Sequence, residues 1–188
     1  MLNATDRLQV RTPDRKPAMV TGMHSIEFRT VPHSCGGQGR GETPPVLEFS
    51  VDGIPFLELV RRAELPDALA EQEERAAEFA PDPSPLLAGA YTYPTPLSVG
   101  HLLGTEPDSV PHGTGPGDML LLSCTCGIDD CWALTAHITV TDTTVTWSGF
   151  RNNSRDWNHD ALGVLAFSRS QYERSLRAAL GALSAARD

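Results

Sequence analysis

Residues 118–150 read DMLLLSCTCGIDDCWALTAHITVTDTTVTWSGF. Met119-Leu120-Leu121-Leu122 is a continuous apolar run, the mark of a strand buried on both faces. Leu134, Ala136, Ile138 and Val140 alternate with Thr135, His137 and Thr139, the period-two pattern of a half-buried strand. Asp142 lies in a tight turn. Val145 and Trp147 then alternate with Thr144, Thr146 and Ser148. β-Branched and aromatic side chains suit a pleated surface, so the stretch predicts a three-stranded antiparallel meander.

The chain downstream supplies a lid for that sheet. Arg151 to Asp160 form a polar loop, and Leu162 to Phe167 form a short apolar piece. Ser168 can cap a helix, Gln171 completes a capping box, and Phe167 can pack on Tyr172 as a hydrophobic staple. Tyr172, Leu176, Ala179, Leu180 and Leu183 follow at helical spacing, with Arg169, Arg174 and Arg177 facing away. This helix is expected to cover one face of the sheet.

Upstream, Val46 to Val51 alternates as a strand, and Asp52-Gly53 makes a turn. Pro55 suits the first turn of a helix running from Phe56 to about Glu64, with Phe56, Val60 and Ala63 on one side. Pro66 predicts a second helix, Asp67 to Ala80, stopped by Pro81 and Pro83. Its stripe is Leu69, Ala76 and Phe79, and Glu71, Glu73, Glu74 and Glu78 make the rest acidic, read as a solvated face. Residues 81–117 are rich in Pro and Gly, with one apolar segment at Leu97–Leu103 and two histidines, His101 and His112, read as exposed loop residues. The strand-then-helix order, with no βαβ alternation and no internal repeat, predicts an α+β fold.

Residues 1–44 read as an irregular, disordered tail whose only strand-like piece is Ser25-Ile26-Glu27-Phe28, and residues 45–188 as one globular domain. Met19 and Met23 are alternative starts. The chain has 188 residues and a net charge of −9. Residues 1–45 carry a local charge of +2, leaving −11 on the body. Such a body repels phosphate backbones and anionic membrane surfaces, so neither nucleic acid nor a membrane is an expected partner. An unknown protein or small molecule is. No apolar run reaches the ~18–20 residues of a bilayer span, and the first residues lack a secretory signal, so a cytoplasmic location is expected. All but one of the 15 Lys and Arg residues are Arg, a coding bias of GC-rich bacterial genomes.

Three of the four cysteines, Cys124, Cys126 and Cys131, fall within eight residues between two predicted strands. In a reducing compartment this clustering has three readings. The first is a structural zinc site, which takes four ligands, with a fourth from Cys35, His137, Asp129 or Asp130. The second is a redox thiol group. The third is a hairpin with small buried residues, since free Cys behaves as a small hydrophobe. The spacing C-x-C-x4-C also occurs in the zinc module after the catalytic SET domain of histone methyltransferases. Here 57 residues follow the cysteines and no Gly-Trp-Gly is present, so the match is one of spacing alone.

The loop at 151–160 crowds Asn152, Asn153, Asp156, Asn158, His159 and Asp160 around Trp157. Asx turns in a solvated connector explain these letters; a base made by His159 beside Asp160 in a small hydrolase is a weaker reading. P-loop, dinucleotide, G-x-S-x-G and H-E-x-x-H signatures are absent from the sequence.

Taken together, Cys124–Cys131, Val145-Thr146-Trp147-Ser148-Gly149-Phe150, Phe167-x4-Tyr172 and Val51-Asp52-Gly53-x-Pro55 resemble a group of functionally uncharacterised actinobacterial proteins. The resemblance covers roughly residues 46–183. Some of those proteins carry C-x-x-C where this chain has C-x-C. The resemblance implies a common fold and no activity. The expectation is therefore a non-enzymatic binding or interaction protein with a zinc site at Cys124, Cys126 and Cys131; the alternative is a thiol-dependent redox protein using the same loop.

Overall fold

The computed structural model describes residues 22–31, 45–79, 86–94, 97–106, 115, 117–126, 128 and 131–185. Two antiparallel sheets and their covering helices make an α+β fold, curled as a half-barrel. The larger sheet has the order β4(Tyr91–Thr92), β5(Asp118–Cys124), β6(Leu134–Val140), β7(Thr144–Asn152), β8(Leu165–Ser168). Its centre is the predicted meander. Every residue of β5 is buried, and on β6 Leu134, Ala136 and Ile138 point inward while His137 and Thr139 are exposed. Bulges between Leu120 and Leu122 and between Thr135 and His137 add twist.

The smaller sheet is β1(Ile26–Val31), β2(Val46–Val51), β3(Ile54–Pro55). Asp52 and Gly53 join β2 to β3 with φ of 51° and 78°, two left-handed residues in a row, as a tight type I′ hairpin requires. β1 corrects the expected tail. Ile26 to Val31 pairs in continuous register with Val51 to Val46, and Ile26 and Phe28 enter the core. Alternation over Ile26 and Phe28 was too short to outweigh its irregular surroundings. Residues 1–21 and 32–44 lie outside the described residues.

The two sheets meet through His24, whose N–H donates to the Ala166 carbonyl at 2.7 Å beside Phe167. Trp147 of β7 fills the space between them, with Phe49, Phe56 and Phe167 rings 5.3–5.7 Å away, mostly edge-to-face. That geometry suits the ring quadrupoles. α3(Arg169–Ala185) lies against β1 through buried Tyr172, Leu176 and Ala179. Ser175 Oγ accepts from Phe28 N–H, and the Thr30 hydroxyl donates to the Ala179 carbonyl. Phe167 packs on Tyr172 at 5.7 Å, as the staple reading expects. The Leu183 side chain lies outside the described residues.

One helix, α1(Phe56–Phe79), replaces the two expected. Pro66 sits inside it and removes one N–H donor, but Phe56, Val60 and Ala63 before it and Ala68 after it are all buried on the same body. Tertiary packing therefore outweighs the local proline cost. The face also shifts: Leu69 is 46% exposed, and Ala68 is the buried position. Ala80, Pro81 and Pro83 lie outside the described residues, as do the side chains of residues 77–79.

His101 is not a loop residue. It lies in the short helix α2(Val99–Leu102), capped by Ser98, and its buried ring Nε2 sits 2.8 Å from the Leu120 carbonyl. His112 lies outside the described residues. Among the described residues no helix is long and apolar enough to cross a membrane.

Candidate metal centre

β5 ends at Cys124, a turn carries Cys126 to the surface, and Cys131 follows in a second turn before β6. Antiparallel pairing forces the chain back on itself here, and the Cys131 N–H donates to the Ile128 carbonyl at 3.1 Å. The three Sγ atoms thereby lie within 4.8 Å of one another. Thiolates about 2.3 Å from a tetrahedral zinc are about 3.8 Å apart, so closing the cluster on an ion needs at most about 1 Å of movement in any sulfur–sulfur separation.

The three thiols differ in setting. Cys124 is buried, and that burial pushes its thiol up to about 11. Cys126 is exposed, and its thiol is lowered, first by a hydrogen bond from the Cys124 thiol and then by the Ile128 backbone N–H. The Cys126 N–H reaches Cys124 Sγ at 3.4 Å. Cys131 is exposed.

His137 is not a fourth ligand. It pairs with Asp118, at the end of β5 opposite Cys124. Six strand residues put it about 20 Å from the sulfurs at ~3.3 Å per residue. Cys35, Asp129 and Asp130 lie outside the described residues.

Behind the thiols lies a buried polar network that sequence reading missed. Tyr91 of β4 pairs with Cys124, so both side chains leave the same face of the sheet. The Tyr91 hydroxyl donates to Glu64 Oε1 at 2.5 Å and accepts from Asn152 Nδ2 at 2.7 Å. His159 Nε2 lies 3.0 Å from the same Glu64 oxygen, and the Gly89 N–H donates to the other at 2.9 Å. Glu64, Tyr91, Asn152 and His159 are all buried. Burial beside the Glu64 carboxylate pushes the Tyr91 hydroxyl far above its ordinary value, so it remains a donor. A signal was present: Glu64 falls on the stripe of Phe56, Val60 and Ala63, where a carboxylate needs buried partners.

The 151–160 loop carries the expected Asx turns, Ser154 N–H to Asn152 Oδ1 and Asp160 N–H to Asn158 Oδ1, and half its residues are exposed, but it is also anchored to α1. His159 turns inward to Glu64, the Asn158 N–H donates to Asp67 Oδ2 at 2.6 Å, and Arg155 Nε pairs with Glu71 at about 3.0 Å. Positions 64, 67 and 71 lie on one side of α1. Asp160 is exposed and its N–H donates to Asn158 Oδ1, so a His159–Asp160 base is not formed. Trp132 packs between Tyr91 at 5.8 Å and Trp157 at 5.4 Å, with the Arg155 guanidinium 5.4 Å from its ring.

No protein-family model, curated protein sequence or solved structure matches this chain.

Proposed function

We propose that this is a non-enzymatic binding protein whose hairpin, Cys124, Cys126 and Cys131, holds a soft divalent ion, zinc first among them. The observation that carries the reading is the convergence of three sulfurs within 4.8 Å. Three of the four donors of a structural zinc site then come from one turn, and thiolates favour zinc over calcium or magnesium. The buried state of Glu64, Tyr91, Asn152 and His159 also favours a framework role for that network, because a substrate has to displace the 155–159 loop to reach it.

The test is elemental mass spectrometry on the full chain purified under reducing conditions, with free thiols titrated in the same sample. Near one zinc per chain, with the three loop thiols protected, supports the reading, and Cys126→Ser should then lower the zinc content. No bound metal together with freely reacting thiols removes it.

A second reading rests on Cys126, exposed and with its thiol lowered by its neighbours. Its thiolate would attack a substrate disulfide and expel one substrate thiolate. Cys131 would then resolve the mixed disulfide, leaving Cys126–Cys131 oxidised and the substrate reduced by two electrons. A folded Cys126→Ser protein that has lost disulfide turnover distinguishes this from zinc binding.

A further inference from the structure

The segment joining the thiol hairpin to α1 carries hydrogen bonds at both ends. On the hairpin side, the Ser154 hydroxyl donates to the Cys131 carbonyl at 3.0 Å. The Ala133 N–H donates to Asn153 Oδ1 at 2.8 Å, and the Asn153 N–H returns a bond to the Ala133 carbonyl at 3.1 Å. On the helix side, Arg155, Asn158 and His159 hold Glu71, Asp67 and Glu64. Trp132, the residue after Cys131, is packed against Trp157 in the middle of the same segment.

We propose that residues 153–159 are a strap whose docking on α1 is coupled to metal occupancy of Cys124, Cys126 and Cys131. The inference rests on the zinc reading above and gives that site a conformational output. An ion drawing the sulfurs together fixes the backbone from Cys131 to Ala133. Those are the groups that Asn153 and Ser154 grip, so their ordering is already met when the strap docks. By linkage the docked strap raises zinc affinity by the factor with which zinc favours docking.

The docked strap is also not held by a surplus of interactions. Among the described residues, buried His159 Nδ1 has no hydrogen-bond partner, so the inward position of that ring carries an unmet polar group. The Arg155–Glu71 pair is partly exposed, a setting in which an ion pair contributes little. An element with these features is one that a bound ion can bias. The two ends hold different partners, and the Trp132 ring, against Trp157 and Arg155, is a second link between hairpin and strap.

The experiment is amide hydrogen exchange on the full chain, loaded with zinc and then stripped by a chelator, alongside zinc affinity from competition with a chromogenic chelator. Removing zinc should speed exchange at Asn153, Ser154 and Asn158, whose N–H groups donate to the Ala133 carbonyl, Asn152 Oδ1 and Asp67 Oδ2 when the strap is docked. His159→Gln should weaken zinc binding about tenfold, within the usual range of coupled sites. Glu58→Gln, on an exposed turn of α1 away from the strap, should leave it unchanged. Should His159→Gln fail to fold, Ser154→Ala serves: zinc should then protect the hairpin amides as before and the Asn158 amide less than in the unsubstituted chain, and equal protection of Asn158 overturns the coupling. Zinc binding that leaves strap exchange untouched overturns the coupling while the zinc reading stands. A chain that takes up no zinc overturns both.

Discussion

Glu64→Gln is the substitution whose cost the structure specifies best. The carboxylate takes three donors: Tyr91 hydroxyl and His159 Nε2 on Oε1, and Gly89 N–H on Oε2. A glutamine of the same shape offers one acceptor oxygen. With that oxygen toward Tyr91 and His159, its NH2 faces the Gly89 N–H, donor against donor. Flipped, the NH2 faces Tyr91 and His159, and the Tyr91 oxygen is already occupied by Asn152. One buried donor is stranded either way, at about 1–3 kcal/mol. The two surviving bonds fall from the charged to the neutral class, about 1 kcal/mol each. The amide is easier to bury than the ion, which returns part of this loss. The expected net cost is about 2–4 kcal/mol. Urea unfolding followed by Trp fluorescence measures it as a shift in midpoint at constant slope. Glu58→Gln is the control, at most about 0.5 kcal/mol for an exposed pair. A Glu64→Gln loss inside that control range refutes the network as an energetic centre. So does simple additivity of Glu64→Gln and His159→Gln, because partners in one network must couple.

Phe49→Ala removes a buried ring that touches Phe28, Phe56, Tyr93 and Trp147, and should cost about 3–5 kcal/mol in the same unfolding assay. A loss under about 1 kcal/mol contradicts the packing described. In the metal-free native protein, a thiol-selective alkylating reagent read by mass spectrometry should modify the exposed Cys126 and Cys131 before the buried Cys124, whose thiol burial raises to about 11. Early modification of Cys124 rejects that arrangement. The Glu71 carboxyl is lowered by the hydrogen bond and charge of Arg155. A depressed folded value stabilises the docked strap above the ordinary carboxylate value near 4.5, and the contribution fades as pH falls through the lower folded value. Amide exchange at Asn158, corrected for its intrinsic pH dependence, should rise over that acid range and do so less in Glu71→Gln.

The meander and the C-terminal helix were legible because each rests on a long repeat of one period. Seven residues of β6 and the stripe from Tyr172 to Ala179 leave little freedom in reading. β1 is six residues long and finds its partner 20 residues later, so its pairing with β2 leaves only a faint local mark. Pro66 misled in the opposite direction: a strong local breaker is overridden by a buried face that continues past it. The thiol cluster was visible as spacing, yet the exclusion of His137 needed strand register, which fixes which end of β5 each residue occupies. The Glu64 network draws on α1, Gly89, β4, β7 and the following loop at sequence separations of 25 to 95 residues. Only the carboxylate on an apolar stripe announced it.

The strand pairing at the start of the described chain also sets an order of events during vectorial synthesis. Phe28 meets Tyr172 edge-to-face with ring centroids 5.1 Å apart, and its N–H is satisfied by Ser175 Oγ. The two rings are made 144 residues apart, which at ~5–20 residues per second is a wait of about 7–30 s. The β1–β2 hairpin must meanwhile hold its apolar face without the helix that finally shields it. A strand left uncovered for that long exposes an edge and an apolar face to other chains, until synthesis of Arg169–Ala185 supplies the helix that covers it.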